Sequence, residues 1–496
     1  LSVSETTKTL GELGLTARSG RDAKITGLAV DSREVRDGYL FAALPGTRVH
    51  GADFIQYALR QGAGAILTDA EGAEIASTEL SASDAALVVA ADPRQALSYS
   101  AALWFGAQPE TMVAVTGTNG KTSVAAFTRM IWQELGHRAI NLGTTGVEGD
   151  WHAPLKHTTP EPITLHRALA EAAASGVDFA AMEASSHGLE QRRLDGVQLR
   201  AAGFTNFSQD HLDYHKSFDD YFAAKAGLFA RVLPEEGTAV INIEDARGVD
   251  MAAIAHARGQ DLITVGRAEG ADLCMMAQRF NATGQDVRLR YRGAIKQLEL
   301  SLIGGFQAEN ALVAAGLVIA CGEDAEAVLD TLPRLSTVRG RMQLAAKREN
   351  GAAVFVDYAH TPGAVETAIQ ALRPHVMGRL VAIVGAGGDR DAGKRPLMGQ
   401  AAADHADLVI VTDDNPRSED PAAIRAAVMA GAPEAIEIGD RAEAILRGVD
   451  ALGPGDALLI CGKGHETGQI VGDTVYPFDD AEQASVAVTA LDGGQP

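Results

Sequence analysis

A lysine and a hydroxyl residue placed after a glycine-punctuated turn can hold polyphosphate. This chain carries that pattern at Gly117-Thr118-Asn119-Gly120-Lys121-Thr122-Ser123. The stretch lies between an apolar run opening at Met112 and the helix-like residues 124–132, so it reads as strand, loop and helix. Backbone N–H groups of such a loop, with the positive end of the helix dipole, attract phosphate. In this reading Lys121 reaches the β and γ oxygens, and the Thr122 hydroxyl binds Mg²⁺. The usual spacing, G-x-x-x-x-G-K-[ST], places glycine where Val115 stands, so the loop is a variant. Nucleotide binding follows; the use made of the nucleotide does not.

Ligands of open parallel sheets collect at the carboxyl ends of strands. The apolar run 177–182 leads into Glu183-Ala184-Ser185-Ser186-His187, where a carboxylate either holds Mg²⁺ or merely neighbours a helix N-cap. The run 203–206 leads into Phe207-Ser208-Gln209-Asp210-His211, making His211 a candidate metal ligand, although a lone histidine is more often structural. Lys225, one turn along the Tyr221-Phe222-Ala223-Ala224-Lys225 segment, reads by its chemistry alone as a solvated or snorkelling side chain.

Three further loops each follow an apolar run: Gly385-Ala386-Gly387-Gly388-Asp389-Arg390, Asp413-Asp414-Asn415-Pro416-Arg417 and Gly462-Lys463-Gly464-His465-Glu466. The first falls short of a dinucleotide fingerprint because Arg390 stands where its last glycine belongs. Pooled, Arg390, Arg417, Asp414, Asn415 and Glu466 suit a small zwitterion, arginine forks for its carboxylates and acids for its ammonium groups.

The elements that must position these residues follow from the apolar pattern. Residues 25–30, 40–44, 64–68 and 86–90 alternate with turns in a small N-terminal α/β region, and residues 107–110 read as a linker. Strands at 177–182, 203–206 and 238–242 alternate with helical segments, as in βαβ units, and the alternating stretch 286–302 reads as an antiparallel edge hairpin. Strands at 353–356, 380–384, 408–411 and 457–460, with helices at 364–372 and 422–430, form a doubly wound region. The expected fold is therefore α/β in three domains. They are an N-terminal domain over 1–108, a central P-loop-type domain over 109–337 and a Rossmann-like C-terminal domain over 338–496. The central sheet is expected to be mostly parallel with helices on both faces.

Composition narrows the function classes. With 496 residues the chain exceeds one typical core, and 46% hydrophobic with 22% charged residues mark it as globular. A formal net charge of −22 argues against nucleic acid or an anionic membrane as the main partner. Three widely spaced cysteines make no disulfide framework, and no signal pattern opens the chain, so a reduced, cytosolic compartment is expected. The apolar stretch 312–321 is too short to span a bilayer.

Taken in order, these clusters resemble the Mur ligases, the ATP-dependent amino-acid-adding enzymes of bacterial peptidoglycan synthesis. The resemblance covers nearly the whole chain. It rests on residues 116–122, Glu183 with Ser185-Ser186-His187, Asn206 through His211, the Tyr221 to Lys225 helix, Asn310, Gly340-Arg341-Met342 and Asp357-Tyr358-Ala359-His360-Thr361-Pro362. Asp31-Ser32-Arg33 and the segment 38–46 resemble the uridine-binding domain of the member that adds the third stem-peptide residue. Asp414-Asn415-Pro416-Arg417 resembles the motif that accompanies meso-diaminopimelate, whose distal carboxylate an arginine can hold bidentately.

The resemblance implies that the D-glutamyl γ-carboxylate of UDP-MurNAc-L-Ala-D-Glu takes a phosphoryl group from ATP, and that the amine of meso-diaminopimelate then displaces phosphate. It implies two Mg²⁺ ions, one held by Thr122 and Glu183, the other by His211 and a Lys225 carbamylated by CO₂. Lys121, Lys225 and His211 become the catalytic group. Asn310, Arg341 and Asp357 join the phosphate loop as ATP contacts. Val30, Ser32, Thr158, Thr159, Ser185, Gln191 and Arg193 become contacts to the UDP-muramoyl dipeptide. Arg390, Asp414, Asn415, Pro416, Arg417, Gly462 and Glu466 become contacts to the amino acid. Gln307 departs from the family's common asparagine, and Thr47-Arg48-Val49 is not distinctive. A cytoplasmic monomer is expected, with domain closure bringing the amino acid to the phosphate loop. Alternatives are a lysine-adding ligase, a folylpolyglutamate-synthase-like ligase and, from another class, a phosphate-loop switch.

Overall fold

The computed structural model describes residues 6–46, 49–208, 215 and 217–493. The chain divides into two compact units, Leu1–Val265 with Val313–Val328, and Gly266–Leu312 with Leu329–Pro496.

The first unit opens with a parallel sheet of β1 (Gly27–Ala29), β2 (Tyr39–Ala42), β3 (Ala65–Thr68) and β4 (Ala86–Val89), in that order. Its larger sheet contains β5 (Thr111–Thr116), β6 (Ala139–Gly143), β7 (Gly146–Gly149), β8 (Phe179–Glu183), β9 (Ala201–Phe204), β10 (Thr238–Asn242) and β11 (Asp261–Gly266). The order is β11-β10-β9-β5-β8-β6-β7, all parallel except the β6–β7 pair. Central β5 is buried along its whole length, as a strand covered on both faces must be. Met112 and Ala114 face a core with Leu165 and Leu169. On the opposite face Gly203 packs against Val313, Leu317 and Val115. Helices thus cover both faces.

Sequence determines the helix starts locally. Asp92, Glu161, Thr361 and Asp420 each accept a backbone N–H as N-cap, and each is followed by proline at the first helical position. A cap needs a side-chain acceptor, and N1 needs no N–H, so the pair defines the boundary.

In the second unit β12 (Leu273–Asn281), β13 (Gly284–Tyr291) and β14 (Ala294–Leu300) form an antiparallel meander. The expected edge hairpin is thus two strands of three. Its first strand escapes the alternation pattern because a register shift falls between Met275 and Ala277. The six-stranded sheet of this unit contains β15 (Gln343–Lys347), β16 (Ala353–Asp357), β17 (Leu380–Val384), β18 (Leu408–Val411), β19 (Ile436–Glu437) and β20 (Ala457–Cys461), ordered β15-β16-β20-β17-β18-β19 with β15 antiparallel. His375 joins meander to sheet, accepting from Gly304 N at 3.0 Å and meeting Asn281 O at 2.7 Å through Nδ1. A last hairpin pairs β21 (Gly468–Val471) with β22 (Thr474–Pro477).

Candidate active site: a phosphate loop and three converging polar loops

The phosphate loop leaves β5 at Thr116 and enters the helix Lys121–Glu134. Gly117 has φ +147° and Gly120 φ +87°, in the region that favours glycine. A Cβ on Gly117 would meet Thr205 Oγ1 at 1.9 Å, so only glycine lets the loop close on the neighbouring chain. That neighbour is the segment after β9. Thr118 N donates to Asn206 O at 2.8 Å and Asn119 N to Asn206 Oδ1 at 2.9 Å. These bonds end β9 at Phe204, two residues short of the expected Asn206, because the backbone there turns to brace the loop. Lys121 Nζ donates to the carbonyls of Gly117 and Thr118 at 2.9 and 2.8 Å. Thr122 and Ser123 are buried in the first helical turn.

Glu183 ends β8 beside this turn. Its Oε1 accepts from Thr122 Oγ1 at 3.0 Å and from Thr144 N at 2.8 Å. Gly143 makes room for it, since a Cβ there would lie 1.9 Å from Oε1. A buried carboxylate and a threonine hydroxyl facing one another beside a phosphate loop fit the oxygen donor set of Mg²⁺. Among the described residues no group of three or more His, Cys, Asp and Glu side chains is arranged around a metal position. His211 lies outside the described residues, as do Thr47 and Arg48.

Lys225 overturns the reading from residue chemistry. It is not solvated: only 1% exposed, it donates from Nζ to Gly117 O at 2.7 Å, with Nζ 4.5 Å from the Tyr221 ring centre. Lys225 stands four residues after the buried Tyr221 on one helix and so shares its inner face, a periodicity signal that the charge obscures.

Of the residues expected at the dipeptide, Thr158, Thr159, Ser185, Gln191 and Arg193 gather around the end of β8. Thr159 Oγ1 donates to Glu183 O at 2.9 Å and accepts from Ser185 N at 3.0 Å. Thr158 and Thr144 hydroxyls meet at 3.0 Å. Arg193 donates to Gln191 Oε1 at 2.7 Å and to Thr159 O. Ser185 caps the next helix through Gly188 N at 3.0 Å, so this loop does form the helix N-cap that its sequence offers. Val30 and Ser32 occupy the turn after β1. There the Arg33 guanidinium and backbone hold the Asp31 carboxyl below the usual range. A cavity of about 590 Å³ is lined by Arg33, Arg36, Tyr39, Trp104 and Arg167, none of them a residue expected in the site.

In the second unit Asn310 Nδ2 donates to Gln307 Oε1 at 3.0 Å, both side chains being buried. Asp357 ends β16 and accepts from Met342 N at 2.7 Å and Ala359 N at 2.9 Å. Burial pushes its carboxyl up, opposed by the Arg341 guanidinium. Arg341 in turn lies 4.9 Å from the Tyr358 ring centre.

The three polar loops of this unit meet. Gly388 N donates to Asn415 O at 2.9 Å, and a Cβ on Gly388 would lie 1.9 Å from Pro416 O. The glycines of the first loop therefore serve close backbone approach to the second. Arg417, at φ +51°, donates from Nη1 to Gly388 O at 2.8 Å, while Arg390 is exposed. Asn415 Nδ2 donates to Glu466 Oε2 at 2.9 Å. Gly462 gives Asp414 its space, since a Cβ there would lie 2.4 Å from Oδ2. Sequence reasoning passed over Thr144, although it follows a strand end, and Lys463, although it stands between two glycines of a noted loop.

A phosphate loop, a carboxylate and threonine fit for Mg²⁺ and mostly parallel α/β sheets define a phosphate-loop nucleotide-binding protein. Comparison with known proteins narrows this. The chain matches the Mur ligase family catalytic domain over residues 24–106, the Mur ligase middle domain over 115–318 and the Mur ligase glutamate ligase domain over 340–464. It is 48% identical to the UDP-N-acetylmuramoyl-L-alanyl-D-glutamate--2,6-diaminopimelate ligase of Caulobacter vibrioides, over 95% of this chain and 97% of that one. It is 49% identical to the same-named ligase of Bradyrhizobium diazoefficiens, over 94% and 95%. A solved structure of a ligase with that name superposes with TM-score 0.72 at 34% identity, covering 98% of this chain and 99% of that one. The chain belongs to the Mur ligase family. A MurF from Acinetobacter baumannii, at 18% identity, TM-score 0.62 and coverage of 93% and 97%, shares the fold.

Proposed function

We propose that the protein joins meso-2,6-diaminopimelate to the D-glutamyl γ-carboxyl of UDP-MurNAc-L-Ala-D-Glu, driven by ATP, in the synthesis of peptidoglycan precursor. The observation that carries this reading is the 48% identity over 95% of the chain to a ligase named for that reaction. The Asp414-Asn415-Pro416-Arg417 loop, packed against the arginine-bearing first loop, supports it.

The γ-carboxylate attacks the γ-phosphorus of ATP, giving an acyl phosphate and ADP. The neutral amine of the acceptor attacks the acyl carbon; the amide forms and inorganic phosphate leaves with the amine's proton released. Lys121 and the loop N–H groups hold the transferring phosphoryl group, supplying charge where it develops. Thr122 and Glu183 would hold one Mg²⁺, which when bound neutralises phosphate charge. Lys225, as a carbamate formed with CO₂, and His211 would hold a second. Thr158, Thr159, Ser185, Gln191 and Arg193, with Val30 and Ser32, orient the UDP-linked dipeptide. Asn310, Arg341 and Asp357 bind the rest of ATP. Arg390 and Arg417 take the acceptor's carboxylates, and Asp414, Asn415 and Glu466 its ammonium group, with Pro416 and Gly462 shaping the pocket.

We place the domain boundaries at 108/109 and 337/338 and the protein in the cytoplasm as a monomer. Among the described residues no helix is long and apolar enough to cross a membrane. The test is phosphate release with ATP and UDP-MurNAc-L-Ala-D-Glu, using meso-diaminopimelate or L-lysine as acceptor. Release dependent on meso-diaminopimelate is expected; equal or faster turnover with lysine would overturn the substrate assignment.

A further inference from the structure

Lys463 has a side chain 0% exposed. Its Nζ donates to Asn415 Oδ1 at 3.0 Å, and lies 3.4 Å from Glu466 Oε2 and 3.8 Å from Asp414 Oδ1. A buried ammonium is costly unless paired, and this one is shared by carboxylates from two different loops. It only donates, so it turns the amide of Asn415 unambiguously. Oδ1 faces Lys463 and also accepts from Ile470 N at 2.9 Å, leaving Nδ2 to hold Glu466 Oε2 at 2.9 Å. Gln469 Nε2 closes the other side on Asp414 O at 2.8 Å. The loop of Asp414, the loop of Glu466 and the start of β21 thus converge on one ammonium.

We propose that Lys463 is a positioning residue for the amino-acid acceptor: it offsets the repulsion between Asp414 and Glu466 and fixes Asn415, so that the two acids are presented together to the acceptor's ammonium group. This rests on the reading of these loops as the amino-acid pocket. Lys463 itself touches no reacting atom. Its loss acts on acceptor binding and leaves the nucleotide and dipeptide contacts, which lie on other residues.

The test is steady-state kinetics of Lys463→Met with meso-diaminopimelate, ATP and UDP-MurNAc-L-Ala-D-Glu varied in turn. Removing one partner of a buried charge cluster is expected to raise KM for the amino acid at least about 30-fold. kcat and the other two KM values stay within about threefold, inside the range of untouched contacts. A merely structural lysine would move all three KM values or only the thermal midpoint, and either result overturns the proposal. So does an unchanged KM for the amino acid. Lys463→Gln, which keeps a donor toward Asn415 but no charge, is the second variant if the first does not fold, with the same expectation and the same contrary result. Failure of the unaltered enzyme to saturate with meso-diaminopimelate would instead sink the reading of the pocket, and the proposal with it.

Discussion

Lys225 Nζ donates to the carbonyl of Gly117, 2.7 Å away and 108 residues earlier in the chain. A helix distant in sequence therefore helps hold the first glycine of the phosphate loop. Lys225→Ala is expected to lower ligase activity by roughly 100-fold or more, the scale of a lost electrostatic contact at a transferring phosphoryl group. If the working form is a carbamate, formate or acetate should restore part of that activity to the alanine variant. A Lys225→Arg enzyme retaining wild-type rates would show that positive charge suffices and would remove the carbamate from the mechanism.

Glu183 depends on the absence of a side chain at residue 143. A methyl group there would lie 1.9 Å from Oε1, where no carboxylate can remain. Gly143→Ala is therefore expected to displace Glu183 from Thr122 and Thr144. The half-saturating Mg²⁺ concentration should rise by about tenfold or more, the effect of disturbing a ligand's supporting contacts. Saturating Mg²⁺ should recover most of the rate. A Mg²⁺ titration superposing on that of the unaltered protein would dissociate Glu183 from the metal.

Most of the fold was legible because its strands are short apolar runs between turn residues. Thr238–Asn242, Leu380–Val384 and Leu408–Val411 appear with the bounds their composition implies. The site was legible where chemistry and backbone coincide, as at Gly117 and Gly120. It was not legible where burial reverses a residue's usual behaviour. Lys225 and Lys463 look like surface cations in sequence, and only the partners brought by distant loops explain their burial. The glycines at 385–388 illustrate the converse. They imitate a nucleotide fingerprint locally, but what packs against them is the Thr412 carbonyl at Gly385, the Arg417 side chain at Gly387 and the Asn415 and Pro416 carbonyls at Gly388.

Arg417 is half-buried, tied to Gly388 O at 2.8 Å by one nitrogen. Its partial exposure discounts the full effect of a buried charge pair. Arg417→Ala should raise KM for meso-diaminopimelate about 10- to 100-fold, or about 1.4–2.7 kcal/mol. Turnover of lysine, which lacks the distal carboxylate, should hardly change. Arg417→Lys should recover little, because a point charge does not reproduce a two-pronged contact. Equal losses with both acceptors would assign Arg417 to loop structure instead.

Arg441 and Asp480 form an ion pair with both side chains 0% exposed. Arg441 also donates to Cys461 O at 2.9 Å and Asp413 O at 3.3 Å, joining the ends of β20 and β18 where two of the polar loops begin. Breaking such a pair from one side strands a buried charge, so Arg441→Leu should destabilise by roughly 3–5 kcal/mol. Arg441→Leu with Asp480→Leu should recover much of that loss. Denaturant midpoints of the two single variants and the double variant measure the coupling, and strictly additive effects would contradict it.

His166 is buried where the helix Pro162–Ala174 meets Gly196, and its Nε2 has no hydrogen-bond partner among the described residues. Burial lowers its pKa to about 4. An unfolded chain keeps the ordinary value near 6.5, so between pH 6.5 and 4 the unfolded state binds more protons. Stability must therefore fall as pH drops through that window, by roughly 3 kcal/mol in all, and level off below it where both states are protonated. His465 shifts in the same direction, so the total pH profile does not isolate either histidine. The difference between the unaltered protein and His166→Gln does, since His465 is common to both. That difference in unfolding free energy should change by about the same 3 kcal/mol from pH 7 to pH 4, in favour of the variant at the acid end. Two parallel pH profiles would mean that His166 gains a proton in the folded state as readily as in the unfolded one.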